Sequence, residues 1–145
     1  MKYLSLFEEF STPFEMEEKH DEITLSIGHS FISFFYLKDT YNLVEFTELD
    51  LDNVYEVIGE ECIYIDKISI NLEDKEKYPH LVRRFIEEVE RYATEKNCHT
   101  ICLIAEPFGN KRKNADELVS MYQHFGFEIF EKIPGKDHYM MYKDI

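Results

Sequence analysis

The chain has 145 residues, of which 44% are hydrophobic and 15% aromatic, the size of one domain with enough apolar side chains to bury a core without metal or disulfides, and too apolar for disorder. Its formal net charge is −14, concentrated in residues 1–60, where 14 acidic side chains stand against 3 basic ones. Such a face repels nucleic-acid phosphate and favours cationic partners, or simply solvates the surface, so no direct nucleic-acid binding is expected. No apolar run of about 18 residues is present to span a bilayer, and the opening MKYLSLFEEF turns acidic where a signal peptide needs an apolar core. A cytoplasmic protein without membrane attachment is expected. Cys62, Cys98 and Cys102 are odd in number and lack a second ligand pair at zinc spacing; they read as small buried apolar residues, with no metal site.

In chain order, Tyr3, Leu4, Phe7 and Phe10 fall at helical spacing and predict a short amphipathic helix over 3–10. Thr12-Pro13-Phe14-Glu15 reads as a second helix start, with a capping Thr, Pro at the first position and Glu at the third. The texture then changes to strands: 22–27, a Gly28-His29 turn, 31–37, a turn over 39–42, and 43–49, an antiparallel meander. Phe31, Phe34, Phe35 and Tyr36 make the middle strand apolar enough to be covered on both faces. Residues 50–59 hold either a helical turn through Val54, Val57 and Ile58 or a long loop.

The unit over 62–127 organises the rest. Residues 62–70, CIYIDKISI, predict a central strand. A helix follows from Pro79 to about residue 96, with Leu81, Val82, Phe85, Ile86, Val89, Tyr92 and Ala93 on one face and Pro79 in its first turn. Residues 100–106, TICLIAE, predict a second strand buried on both faces, parallel to the first. Asn114 caps a second helix, Glu117 completes its capping box, and Gly126 ends it. Strands over 127–133 and 138–143, separated by Pro134-Gly135, close the chain. The order predicts one α/β domain over 1–145, a mixed sheet flanked by helices.

Lys75, Lys77, His80, Arg83 and Arg84 cluster around the start of the first of these helices, where free amides and the dipole favour an anion. Pro79 removes one amide and Val82 brings a branched side chain, so phosphates would be held by side chains; equally, the cluster can pair with Glu73, Asp74, Glu87 and Glu88. Asp66 and Glu106 are the carboxylates that could point into a cleft as general base, although Asp66 beside Lys67 also fits a surface pair. His20, His29, His99, His124 and His138 are scattered and suggest turns, caps or surface positions.

Met121-Tyr122-Gln123-His124-Phe125-Gly126-Phe127 resembles the Leu-Tyr-x-x-x-Gly-Phe signature of the GNAT superfamily of acyl-CoA-dependent N-acetyltransferases, and the resemblance extends over residues 62–145. It implies acetyl-CoA held between the two core strands, along Ile68, Ser69 and Ile70 and at the helix start around Lys77, His80, Leu81, Val82, Arg83 and Arg84. Lys77 stands where the family has Gln or Arg, and His80 and Val82 where it has two glycines. Residues 1–60 become the acceptor side, its front helices one wall of the cleft, and 61–145 the cofactor side. Tyr122 would protonate the departing thiolate; at helical spacing with Leu118 and Phe125 it also fits an ordinary core tyrosine. The implied acceptor is an amine, small molecule or peptide, of cationic character. The alternative is a catalytically inactive domain of the same fold whose acidic surface docks a basic protein.

Overall fold

The computed structural model describes residues 14–106 and 114–145. The helix expected over 3–10 and the Thr12-Pro13 start signal lie outside them. Where that signal called for a helix to continue through Glu15, the chain forms strand β1 (Glu15–Lys19), all five of whose side chains are exposed. With neither face covered there is no apolar alternation to read, and β1 exists because the β2 backbone recruits it. His20 and Asp21 make the two-residue turn, both at positive φ (53° and 68°), leading into β2 (Glu22–Ile27) and, after Gly28-His29, into β3 (Ser30–Leu37). The three strands pair antiparallel, as expected of the first two predicted strands.

The third strand of the expected meander is instead helix α1 (Tyr41–Thr47), followed by α2 (Leu51–Val57) where a helical turn or a loop was left open. Leu43, Leu49, Val54 and Ile58 are buried together against one face of the sheet, which a helix pair achieves and an extended strand would not. Thr47 Oγ1 donates to Leu43 O within α1, and the Asp50 side chain caps α2 by accepting from Asn53 N at 3.1 Å.

Strand β4 (Cys62–Ser69) runs antiparallel to β3 and parallel to β5 (Thr100–Ala105), the expected core pair. The connection holds an unexpected helix, α3 (Leu72–Lys77), before α4 (Leu81–Glu95). Pro79 is not in the first turn of α4: His80 is the N-cap, at φ 57° and ψ 38°, with no side-chain cap bond. Inside α3, Asp74 is buried and its carboxylate accepts from His29 N (2.8 Å) and Ser30 Oγ (2.7 Å), while Ser30 Oγ accepts from Asn71 N (2.8 Å). This latch ties the β2–β3 turn to α3 and leaves no space at Gly28, where a Cβ would lie 2.1 Å from Asp74 Oδ1.

Helix α5 (Ala115–His124) is capped as read, Asn114 Oδ1 accepting from Glu117 N at 2.9 Å, and the chain turns away at Gly126 with φ 96°. Strands β6 (Glu128–Lys132) and β7 (Tyr139–Asp144) complete one mixed seven-stranded sheet in the order β1-β2-β3-β4-β5-β7-β6. Alternation along β4 and β5 splits the core. Ile63, Ile65, Ile101 and Leu103 pack with Phe85, Val89 and Val119 of α4 and α5. Cys62, Tyr64 and Cys102 pack on the opposite face with the α1–α2 pair. Phe34 and Phe85 are fully buried, each contributing roughly 1.5–3 kcal/mol of hydrophobic stabilisation.

Candidate active site in the gap between β4 and β5

The two parallel core strands pair only through Ile63, Tyr64 and Ile65 with Ile101, Cys102 and Leu103. Beyond that point β4 follows β3 as far as Ser69, while β5 follows β7 as far as Ala105. The cause lies in β4. Phe34 pairs with Ile65 and the adjacent Ser33 with Lys67, so Asp66 is a bulge residue without a partner. A bulge bends and overtwists its strand, and here it turns β4 away from β5.

Two cavities flank the gap. One, about 600 Å³, lies on the α4–α5 face between the start of α4 and the end of α5; the other, about 550 Å³, lies on the α1–α2 face against Phe35, Leu37, Thr47 and Tyr64. Asp66, Ile104 and Glu106 line both. The two linings therefore come together at these three residues.

The three residues expected to do chemistry, Tyr122, Asp66 and Glu106, all line the first cavity. The Tyr122 ring stands edge-on to Phe127 at 5.9 Å between centroids, and among the described residues its hydroxyl has no hydrogen-bond partner. Burial pushes its pKa up to about 12. Of the expected cofactor residues, Ile68, Ile70, His80, Leu81, Val82 and Arg83 line the same cavity, joined by Lys75 from α3. Ser69, Lys77 and Arg84 stand outside its lining: Ser69 pairs with Phe31, Lys77 lies over the Tyr78 ring at 5.4 Å, and Arg84 lies over Phe14 at 5.9 Å.

The first backbone bond of α4 runs from Arg84 N to His80 O at 3.0 Å. The amides of Leu81, Val82 and Arg83 therefore have no helical acceptor, and the three residues line the cavity. Arg83 spans from there to α5, its Nη2 3.4 Å from His124 Nε2 and its guanidinium 5.6 Å from the centre of the Phe125 ring. Val82 occupies wall space that a glycine would leave open.

Sequence reasoning passed over His138. Its Nδ1 is 3.3 Å from Glu106 Oε2, both side chains are partly exposed, and both line the second cavity beside Lys136. The signal was the register of β5 with β7: Ala105 pairs with Tyr139, which brings His138 opposite Glu106. That register is invisible until the two strands are known to be antiparallel neighbours. In the same cavity Tyr64 is held protonated well above the usual phenol range, by burial first and then by the Asp66 charge. Among the described residues no cluster of His, Cys, Asp or Glu could hold a metal ion, and no helix is long and apolar enough to cross a membrane.

No family model matches the sequence, and no curated protein matches it. Solved structures do. The chain is similar to FeeM, an N-acyl amino acid synthase from uncultured soil microbes, with a TM-score of 0.57 and 12% identity over 99% of this chain and 75% of that one. Arabidopsis thaliana NAA60 in complex with a bisubstrate analogue gives a TM-score of 0.55 and 16% identity over 99% and 92%. A GNAT-family acetyltransferase from Listeria monocytogenes gives 0.51 and 17% identity over 86% of this chain, which spans 64% of that enzyme's length. The overall fold, a mixed sheet with helices on both faces, is thus shared with these solved structures. The chain has the GNAT superfamily fold.

Proposed function

We propose that the protein transfers an acyl group, acetyl in the first instance, from acyl-CoA to an amine. The observation that carries the reading is the meeting of two cavities, one from each face of the sheet, at Asp66, Ile104 and Glu106. That arrangement suits two substrates that must touch only at their reacting atoms. Support comes from NAA60, of which a complex with acetyl-CoA is known, and from FeeM, by name an N-acyl amino acid synthase.

Acyl-CoA would supply an activated thioester carbonyl. The edge of β4 at Ile68 and Ser69, with Ile70 just beyond it, left unpaired toward β5, offers backbone groups to the amides of an extended pantetheine arm, as an added strand would use them. Lys75, His80, Leu81, Val82 and Arg83 line the cavity, so the open amides of the helix start and the Lys75, His80 and Arg83 side chains would hold a pyrophosphate there. Lys77 and Arg84 add to the positive field around that helix start. These cations offset the loss of close backbone approach where the family has glycines.

Tyr122 keeps its proton through the working pH range. A phenol at about 12 is a weaker acid than a thiol near 8.5, so full proton transfer to the departing sulfur runs uphill by roughly 5 kcal/mol. Tyr122 therefore acts as a hydrogen-bond donor to the developing thiolate, a narrower role than the general acid implied by its signature. Asp66 and Glu106 border the place where the amine nitrogen arrives, and their negative charge favours the incoming ammonium. The acceptor, a small molecule or a peptide, reaches the site as an ammonium ion, and the acidity of residues 1–60 favours such cations. The reading is of a cytoplasmic enzyme of one domain.

Val82 and His80, in place of glycines, are what favours the second reading, a domain of this fold that no longer binds acyl-CoA and docks a basic protein instead. Calorimetric titration with acetyl-CoA and with CoA separates the two. Micromolar binding supports acyl transfer. No binding, together with association to a Lys-rich peptide that weakens as salt rises, supports the docking domain.

A further inference from the structure

We infer that His138, oriented by Glu106, is the general base that deprotonates the acceptor amine, and that the amine enters through the cavity on the α1–α2 face. The inference rests on the acyl-transfer reading above and names within it a residue that neither the signature nor the sequence pointed to. Three observations meet here. The Glu106 Oε2 to His138 Nδ1 contact of 3.3 Å ties down one ring nitrogen. With Nδ1–H donating to the carboxylate, Nε2 is left as the proton acceptor, the arrangement by which a carboxylate fixes an imidazole tautomer.

The second observation is the backbone. His138 directly precedes β7, whose Tyr139 pairs with Ala105 of β5 and with Lys132 of β6, and His138 O accepts from Ile133 N at 2.8 Å. The ring therefore stands on a strand end fixed from both sides. The third is location: Glu106 lines both cavities while His138 lines only the second, so the pair spans from the meeting point into the acceptor side. The charged and titratable groups that line the same cavity as the ring are Glu106 after the end of β5, Asp66 and Tyr64 of β4, and Lys136 in the β6–β7 turn.

An imidazole suits the task better than either carboxylate, because an ordinary carboxylate is a base weaker by roughly two pK units. The ammonium gives one proton to His138 Nε2. The freed lone pair forms the N–C bond at the carbonyl carbon, the C–S bond breaks with its electron pair going to sulfur, and a second proton leaves nitrogen for that sulfur. His138 returns its proton to water through the open side of the cavity. The products are an amide, a thiol and one proton.

The test compares the parent with His138→Gln and Glu106→Gln. Release of thiol from acetyl-CoA is followed from pH 5.5 to 9 with spermidine, a set of primary alkylamines, free amino acids and a Lys-rich peptide as acceptors. Acetyl-CoA affinity and urea midpoint are measured on all three. His138→Gln should lower kcat/KM by about 10²- to 10⁴-fold and abolish the fall in rate on the acid side, with cofactor affinity and midpoint unchanged. Glu106→Gln should keep part of the rate, since Nε2 remains as the acceptor while the ring loses the carboxylate that orients it. A His138→Gln rate within threefold of the parent, an acid limb that survives in it, or a loss of rate that only follows a loss of stability would overturn the assignment and leave acyl transfer standing. A parent that binds acetyl-CoA yet transfers to none of these amines also overturns it. Failure of the parent to bind acetyl-CoA would instead overturn the acyl-transfer reading itself.

Discussion

His80 opens α4 in a left-handed conformation, φ 57° and ψ 38°, and its side chain makes no capping bond. An L residue pays about 1–2 kcal/mol there, which glycine avoids, while glycine gives up about 0.4–1 kcal/mol through the greater freedom of its unfolded chain. His80→Ala keeps the Cβ and the penalty; His80→Gly sheds both. From the midpoints, the Gly variant should exceed the Ala variant by about 0.8 kcal/mol. In urea unfolding at a slope of about 2 kcal/mol/M, the midpoints should differ by roughly 0.4 M in favour of Gly. Both variants remove an imidazole from the wall of the 600 Å³ cavity, yet only Gly also frees the approach to the amides of Leu81 and Val82. Acetyl-CoA should therefore bind His80→Gly more tightly than His80→Ala. An Ala variant as stable as the Gly variant, at equal slope, would refute the left-handed cap and with it the reason for expecting tighter binding.

Tyr122→Phe removes one hydrogen bond to a charged sulfur, about 1.5–3 kcal/mol, so turnover should fall by roughly 10- to 100-fold at unchanged acetyl-CoA affinity; a rate within twofold of the parent would dismiss that bond. Gly28→Ala meets both a positive φ of 57° and the Asp74 carboxylate at 2.1 Å, so it should destabilise by more than the 1–2 kcal/mol of the backbone strain alone, and an unshifted urea midpoint would contradict the latch. The Asp74 carboxyl is held below the usual carboxylate range, chiefly by the Ser30 hydroxyl and against the opposing pull of desolvation. A depressed folded pKa gives stability that is present above the unfolded value, near 4, and is lost as pH falls through the lowered one. Ser30→Ala should therefore flatten the acid-side loss in melts between pH 5 and 2, whereas profiles parallel to the parent would argue against it.

Long periodic elements were legible in the sequence, and marginal ones were not. The seven apolar positions from Leu81 to Ala93 could only be a helix face, and TICLIAE could only be a doubly covered strand. Residues 43–49 carry apolar side chains that fit either period, and what decided for a helix was a distant fact, the shared burial of Leu43 and Leu49 with Val54 and Ile58. EMEEK has no apolar face because β1 is an outer strand with both sides in solvent. Pro79 looked like a first-turn residue, but the turn that brings α3 into α4 needs His80 left-handed, and this moves the helix start beyond the proline. At the site, Tyr122, His80, Leu81, Val82 and Arg83, all implied by the family resemblance, line one cavity. The Glu106–His138 pair arises from strand register across 31 intervening positions, which no local pattern carries.

The unpartnered Asp66 also alters how the length of β4 should be understood. Ile63, Ile65, Ile68 and Ile70 all contribute to one core face, although the step from Ile65 to Ile68 is odd, which strict alternation forbids. Striking out Asp66 would restore even spacing and keep each isoleucine on its present side, in a ladder with no interruption. The same core can thus be written one residue shorter, as a sheet with better pairing and a closed centre. The extra residue is a standing concession of regularity to access, and it is invisible to scans that exchange side chains, because every substitution at 66 preserves the spacing that opens the sheet.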